Sequence, residues 1–273
     1  MDDNTMMYEP LLKNTMRHLL GPVGDTRSTL SNREVFRRIM GSVRLADFQA
    51  ENRATDVSQY YQDREFYLRF IRALATPLQS ALVARLFLTN GSLSGKVEAE
   101  VSSRTLWFSQ TAKLDGERDF LWSRCDKTLK DDITLALGRD PVMPWPWDAG
   151  RLNDSFACIG EGRPKGPWQQ GEQSYTVILP VRIGFISGGG NHSTATGIVM
   201  AEGEIRTKEV YDFAAIYPHV HTDGRHYLRS SDNKVIEPVR NPVFAAIFEI
   251  GRLIHQLEIS GQETLPERKE HEI

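Results

Sequence analysis

Three consecutive glycines, Gly188 to Gly190, stand between a run of β-branched residues and a run of small ones, and they restrict the fold more than anything else in the chain. The stretch Tyr175 to Ile186 reads as extended, carrying Val177, Ile178, Val181 and Ile183. After the glycines, Asn191, His192 and Ser193 supply helix-start chemistry, and Thr194 to Glu204 is small and apolar on one side. A strand entering a helix through glycine excludes an all-helical chain. Such a corner also leaves backbone N–H groups free to meet an anion.

The residues before this corner have a different period. Met7, Leu11, Leu12, Met16, Leu19 and Leu20 recur at helical spacing until Gly21 and Pro22. Ser31 and Glu34 form a capping box ahead of Val35, Phe36, Ile39, Met40 and Val43. Phe66, Ile71, Leu74, Leu78, Leu82 and Leu86 predict one long helix, or two hinged at Thr76 and Pro77, broken at Asn90, Gly91 and Ser92. Helical spacing is then read from Lys96 to Leu137 through Val97, Val101, Leu106, Trp107, Phe120, Leu121, Leu129, Ile133 and Leu137.

At Gly138 to Pro141 the composition shifts to Pro, Trp and Gly, which sets an expected boundary near residue 140. Beyond it the expected elements are a strand at 142–147, a helix at 149–159, a Gly/Pro loop at 160–171, strands at 174–181 and 183–187, a helix at 194–202 and a strand at 210–217. An amphipathic helix at 242–259 follows. The fold class expected is α+β: a helical domain over 1–140, a small mixed sheet with helices over 141–240, a C-terminal helix over 241–261 and a flexible tail over 262–273.

Composition narrows the function classes. The net charge of −3 argues against a protein that coats nucleic acid over its whole surface, although a local basic patch stays open. No apolar run approaches the roughly 20 residues of a membrane helix, and the acidic start Met1 to Asn4 lacks an apolar stretch behind it, so a cytoplasmic protein with no membrane contact is expected. Cys125 and Cys158 are isolated thiols, outside any Cys-x-x-Cys pair or Cys-based zinc site.

The candidate ligand site is the corner itself. Gly188, Gly189, Gly190, Asn191, Ser193 and Thr194 surround the phosphate-accepting amides, while a plain tight turn capped by Asn191 or Ser193 is the structural alternative. The order Leu152, Ser155, Ile159 and Gly160, then Leu179, Pro180 and Val181, then Gly189 to Ala195 resembles the ParB/sulfiredoxin superfamily over about residues 142–220. That resemblance implies a ParB/sulfiredoxin-like small mixed sheet and a bound ATP or CTP with Mg²⁺. It also implies NTP hydrolysis or nucleic-acid phosphodiester cleavage, in a plasmid, phage or defence setting where DNA is a partner. By position, His192, Asn191 and Glu161 are the catalytic candidates, Arg163 joins the glycines as a phosphate ligand, Lys165 completes the site, and Glu202 is a second acid for Mg²⁺ or base chemistry. Two positions depart from the family. Asn191 stands where the sulfiredoxin branch has its reactive cysteine, which removes sulfinic acid reduction, and Ser193 stands where most members have a phosphate-binding arginine. The alternative is therefore a non-catalytic nucleotide-sensing or protein-interaction module, whose helical half binds a protein partner.

Three further groups carry chemistry. His219, His221, Asp223 and His226 have a spacing open to metal, or to a hairpin turned at Asp223 and Gly224 between Tyr217 and Tyr227. Trp145, Trp147 and Trp168 could stack on a base or close a small core. Arg33, Arg37, Arg38 and Arg44 line the polar side of the second helix, as a solvated face or a nucleic-acid contact.

Overall fold

Helix α1 (Asn32–Asn52) starts where the capping box puts it: Ser31 N donates to Glu34 Oε2 at 2.7 Å, and Glu34 N to Ser31 Oγ at 3.4 Å. The computed structural model describes residues 30–52, 63–88, 106–116 and 119–263. The helix expected at Met7 to Leu20, the breaks at Gly21–Pro22 and at Asn90–Ser92, the first residues of the segment from Lys96, and the tail from 264 onward lie outside them.

Helix α2 (Arg64–Leu88) runs unbroken through Pro77 and is capped by Asp63, whose Oδ1 accepts from Phe66 N at 2.6 Å. The continuing chain gives a short α3 (Leu121–Cys125), β1 (Asp126–Ala136), β2 (Val142–Met143), α4 (Ala149–Cys158), β3 (Ser174–Leu179) and β4 (Ile183–Gly188). It then adds α5 (Asn191–Met200), β5 (Glu204–Asp212), a 3-10 turn (Phe213–Ala215), β6 (Val220–Thr222), β7 (His226–Arg229), β8 (Val235–Pro238) and α6 (Pro242–Glu263). The protein is α+β, with a five-stranded mixed sheet in the order β1-β5-β3-β4-β2 and a three-stranded antiparallel sheet in the order β6-β7-β8.

Several expectations are corrected. Residues 126–136, read as helical, form strand β1, which pairs antiparallel with β5 from Asp126 opposite Tyr211 to Ala136 opposite Glu204. The misreading has a geometric cause. Leu129, Ile133 and Leu137 are four apart, a spacing that lines up on a helix face and, being even, equally on one face of a strand. The boundary expected near residue 140 thus passes between β1 and β2, two strands of one sheet. Strand β2 stops at Met143 rather than Trp147, because Pro144 and Pro146 have no N–H for a ladder. The strand expected at 210–217 runs instead over β5 and ends in the 3-10 turn. Its outward charges at Glu204, Arg206 and Lys208 hide the alternation in a scan for apolar residues. Asp223 and Gly224 do turn a hairpin, between β6 and β7, and β8 was not foreseen.

The five-stranded sheet separates two cores. Along β3, Tyr175, Val177 and Leu179 face one and Ile178 faces the other, the period-two alternation of a strand covered on both sides. On the larger side, Trp107, Phe108, Phe213, Tyr227, Phe244 and Phe248 stack edge to face, with Phe108 and Tyr227 centroids 4.6 Å apart, and α1, α2 and α6 pack around them. Gly224 admits this packing: a β-carbon there would stand 2.5 Å from the Phe36 ring of α1. On the smaller side, Leu135, Leu137, Trp168, Tyr175 and Ile205 lie beneath α5. Gly197 lets the helix sit down, since a β-carbon at that position would meet Leu137 at 2.6 Å and Trp168 at 2.9 Å. Among the described residues no helix is long and apolar enough to cross a membrane.

Candidate functional site

Strand β4 ends at Gly188 and the chain turns through Gly189 and Gly190, both left-handed at φ 66° and 75°, before α5 begins at Asn191. The helix therefore starts three residues earlier than expected, with Gly190 as its cap and no side chain capping its first turn. The two glycines differ. A β-carbon on Gly189 would meet nothing within 4 Å, while one on Gly190 would lie 2.1 Å from Gln173 Cγ. Gly188 and Gly189 are exposed and Gly190 is half-buried beneath Gln173.

The polar side chains after the glycines turn inward. Asn191 is 1% exposed and its Oδ1 accepts from Trp145 N at 2.9 Å. His192 is also buried, and its Nε2 accepts from Asp148 N at 3.2 Å. An acceptor nitrogen demands the neutral ring. Burial, and after it the Arg151 charge, lowers the His192 pKa in the same sense. Together these residues fasten the Trp145–Asp148 loop to the start of α5. Asp148 then caps α4 by accepting from Arg151 N at 2.8 Å.

Ser193 Oγ donates to Gly190 O at 3.0 Å, and the fully buried Thr194 hydroxyl lies 2.7 Å from the Tyr175 hydroxyl in a hydrogen bond. Burial pushes the Tyr175 pKa up to about 12, against the Thr194 bond. Trp147 stands edge-on to His192 at 4.3 Å and beside Trp145 at 5.5 Å, and both indoles remain partly open to solvent. Trp168 is core, buried beneath Gly203.

The remaining expected residues gather elsewhere. Glu202 follows the C-terminal end of α5, and its oxygens accept from Glu161 N at 3.2 Å and Trp168 N at 3.4 Å. Glu161, Arg163 and Lys165 are exposed on the loop held by that carboxylate. A ten-residue helix spans about 15 Å, so α5 sets these groups apart from Asn191 and His192. The acids expected to hold Mg²⁺ are thus committed to loop backbone or turned to solvent far from the glycines, and the donor set at the turn does not fit that ion.

In the histidine constellation Asp223 is engaged by the backbone of its own turn. Its Oδ1 accepts from Arg225 N and His226 N, both at 2.8 Å, and these bonds lower its pKa against the opposing effect of burial. Among the described residues no three His, Cys, Asp or Glu side chains are placed to hold a metal. Cys125 is buried in the larger core, where desolvation raises its thiol well above the usual range, so it stays protonated. On α1, Arg37, Arg38 and Arg44 are exposed, and Arg33 is half-buried.

Residues 24–261 match the model of a family of unknown function, DUF6710. The chain belongs to that family. No curated protein and no solved structure matches it.

One charged group was missed entirely. Asp140, 1% exposed, is ringed by Arg72 at 3.3 Å, Arg139 at 2.9 Å and Arg182 at 3.8 Å, and also accepts from Ala136 N at 3.0 Å. Burial raises its pKa, but the Arg139 and Ala136 hydrogen bonds and the arginine charges outweigh that and hold it below the ordinary carboxylate value. The adjacent Arg139 and Asp140 were the visible signal, and their place at a composition shift made them read as a linker.

Proposed function

We propose that the chain binds a nucleotide through the Gly188–Gly190 turn and the first-turn amides of α5, without turning it over. The observation that carries this reading is a helix start with exposed glycine, no side-chain cap and open space at Gly189, while Asn191 and His192 are drawn away to hold the neighbouring loop. A phosphate at that position would receive backbone N–H donors and the positive end of the helix dipole. The Trp145–Trp147 pair, fastened beside the turn by those same side chains, offers a ring face for a base. The resemblance of Gly189 to Ala195 to the ParB/sulfiredoxin superfamily makes ATP or CTP the ligand class to try first.

Binding alone is favoured because the groups that hydrolysis needs are occupied or distant. His192 already uses its acceptor nitrogen, Ser193 stands where most members of the ParB/sulfiredoxin superfamily have an arginine, and Glu161 lies at the other end of α5. This is the non-catalytic form of the reading, in which any Mg²⁺ arrives with the nucleotide. Gly189→Asp tests it, since aspartate tolerates the left-handed backbone and would place a carboxylate where the phosphate binds. ATP or CTP should raise the melting temperature of the parent protein and of Gly189→Asn, and leave Gly189→Asp unmoved. No shift of the parent protein by any nucleotide, or equal shifts in both variants, overturns the proposal.

A further inference from the structure

Strand β2 ends at Met143, and the loop that follows has little backbone with which to hold itself. Pro144 and Pro146 carry no N–H, which leaves Trp145, Trp147 and Asp148 as the donors of this stretch. Two of these three reach side chains of α5: Trp145 N donates to Asn191 Oδ1 at 2.9 Å, and Asp148 N to His192 Nε2 at 3.2 Å. The two pins differ in chemistry. The Asn191 amide does not titrate, whereas the His192 ring accepts only while Nε2 carries no proton.

Both ends of the loop are also fixed by groups that keep their bonds in acid. Asn191 holds Trp145, and α4 holds Asp148 through the bond from Leu152 N to Asp148 O at 3.1 Å. Leu152 is fully buried in a small core with Ala195, which sets α4 against α5. Trp147 lies between these fixed points, half-buried, its ring centroid 4.3 Å from that of His192 and 5.7 Å from the Arg151 guanidinium. Two charged groups face the imidazole, both from α4 and its cap. Arg151 opposes a second positive charge, and Asp148 favours one through its carboxylate and its backbone. Burial, the largest effect, adds to Arg151, and together they prevail and keep the ring neutral. From β3, the Tyr175 hydroxyl is turned to Thr194 and stays protonated.

We infer that His192 is a proton-operated latch on Trp147. On protonation Nε2 changes from acceptor to donor and opposes the Asp148 N–H, while a second cation joins Arg151 at the same indole. The Asp148 amide then leaves the ring and Trp147 swings into solvent, with Asn191 still on Trp145 and both helices intact. The open form gains a factor of ten for each pH unit between the ordinary imidazole value of about 6.5 and the lowered folded value. Acid thereby uncovers an indole face beside the glycine turn. The latch consists of groups already in contact, so it stands whether or not the turn binds a nucleotide.

The test is tryptophan fluorescence of the full chain without nucleotide, titrated from about pH 7.5 to about pH 5 with far-UV circular dichroism at each step. Trp107, Trp122 and Trp168 are buried, so an opening at Trp147 should dominate the change. The emission maximum should move to longer wavelength and acrylamide quenching should rise while the dichroism holds. His192→Gln keeps an acceptor that takes no proton in this range, and should remove the transition. Arg151→Gln, at an exposed position, should move the midpoint to higher pH by relieving the charge that opposes the imidazolium. Trp147→Phe should lose the wavelength shift but keep the His192 titration followed by NMR, and this variant decides if His192→Gln fails to fold. A flat parent titration, a transition retained in His192→Gln or Trp147→Phe, or an unmoved midpoint in Arg151→Gln overturns the inference. So does loss of dichroism alongside the shift, which would make the event global unfolding.

Discussion

The start of α5 and the Asp140 cluster both use polar side chains at the border of the sheet, in opposite ways. At the start of α5 Asn191, His192 and Thr194 are neutral and buried, and each has a partner: Asn191 accepts from Trp145 N, His192 accepts from Asp148 N, and Thr194 shares a hydrogen bond with Tyr175. What remains free there is backbone. Around Asp140 the buried group is a charge, and its partners are long cations from three separate parts of the chain. The difference shows two ways of fixing the border of the sheet: neutral side chains that bind nearby backbone, or one buried carboxylate that gathers arginines from distant parts of the chain.

The comparison breaks most visibly at Asp140. Asp140→Ala leaves arginines unpaired at a buried position and should cost about 3–5 kcal/mol in chemical denaturation, the range for deleting one partner of a buried ion pair. Because the folded-state pKa of Asp140 is depressed, its contribution is complete above the unfolded value of about 3.9 and is lost as pH falls through the lower folded value. Acid unfolding of the parent protein should therefore be steeper than that of Asp140→Ala.

A smaller loss is expected at α5. Asn191→Ala strands Trp145 N without its acceptor and should cost about 1–3 kcal/mol. It should also shift the tryptophan emission, since Trp145 and Trp147 are held through that bond. An unshifted spectrum with unchanged stability would mean that the loop does not depend on α5.

The two left-handed glycines sharpen the contrast inside the turn. Gly189→Ala should cost about 1–2 kcal/mol from backbone strain alone. Gly190→Ala should lose more, because its β-carbon also displaces Gln173. Equal losses would mean that Gln173 yields freely.

Protonation of His192 gives the smallest effect. Its folded pKa lies below the ordinary imidazole value, so its contribution is whole above about pH 6.5 and is lost as pH falls. His192→Gln should flatten the melting-temperature profile between about pH 7 and 5. A profile as steep as the parent's would place the titration elsewhere.

Much of the local structure was legible. The Ser31–Glu34 box, helix α4, strands β3 and β4, the glycine turn and helix α6 follow from residues close together in sequence, because caps, periodicity and glycine act within a turn or two of the chain. Strand β1 was not, since Leu129, Ile133 and Leu137 satisfy two periods at once and only pairing with β5 selects between them. At the candidate site the residue types were read correctly as hydrogen-bonding, but their direction was not. Nothing in Asn191 and His192 says whether they face a ligand or residues 145 and 148, and Glu161 looked close to the turn until α5 came between them.

By itself the sequence determined that a strand must enter a helix through Gly188–Gly190, that helices precede and follow the sheet, and that the class is α+β, since each depends on steric limits and spacing within a short segment. Only the tertiary structure decided which polar groups are used up and which are left over. Arg72 and Asp140 are 68 residues apart, and whether an arginine that far away reaches a carboxylate depends on how α2 packs on the sheet, a many-body result of core packing that no local pattern encodes.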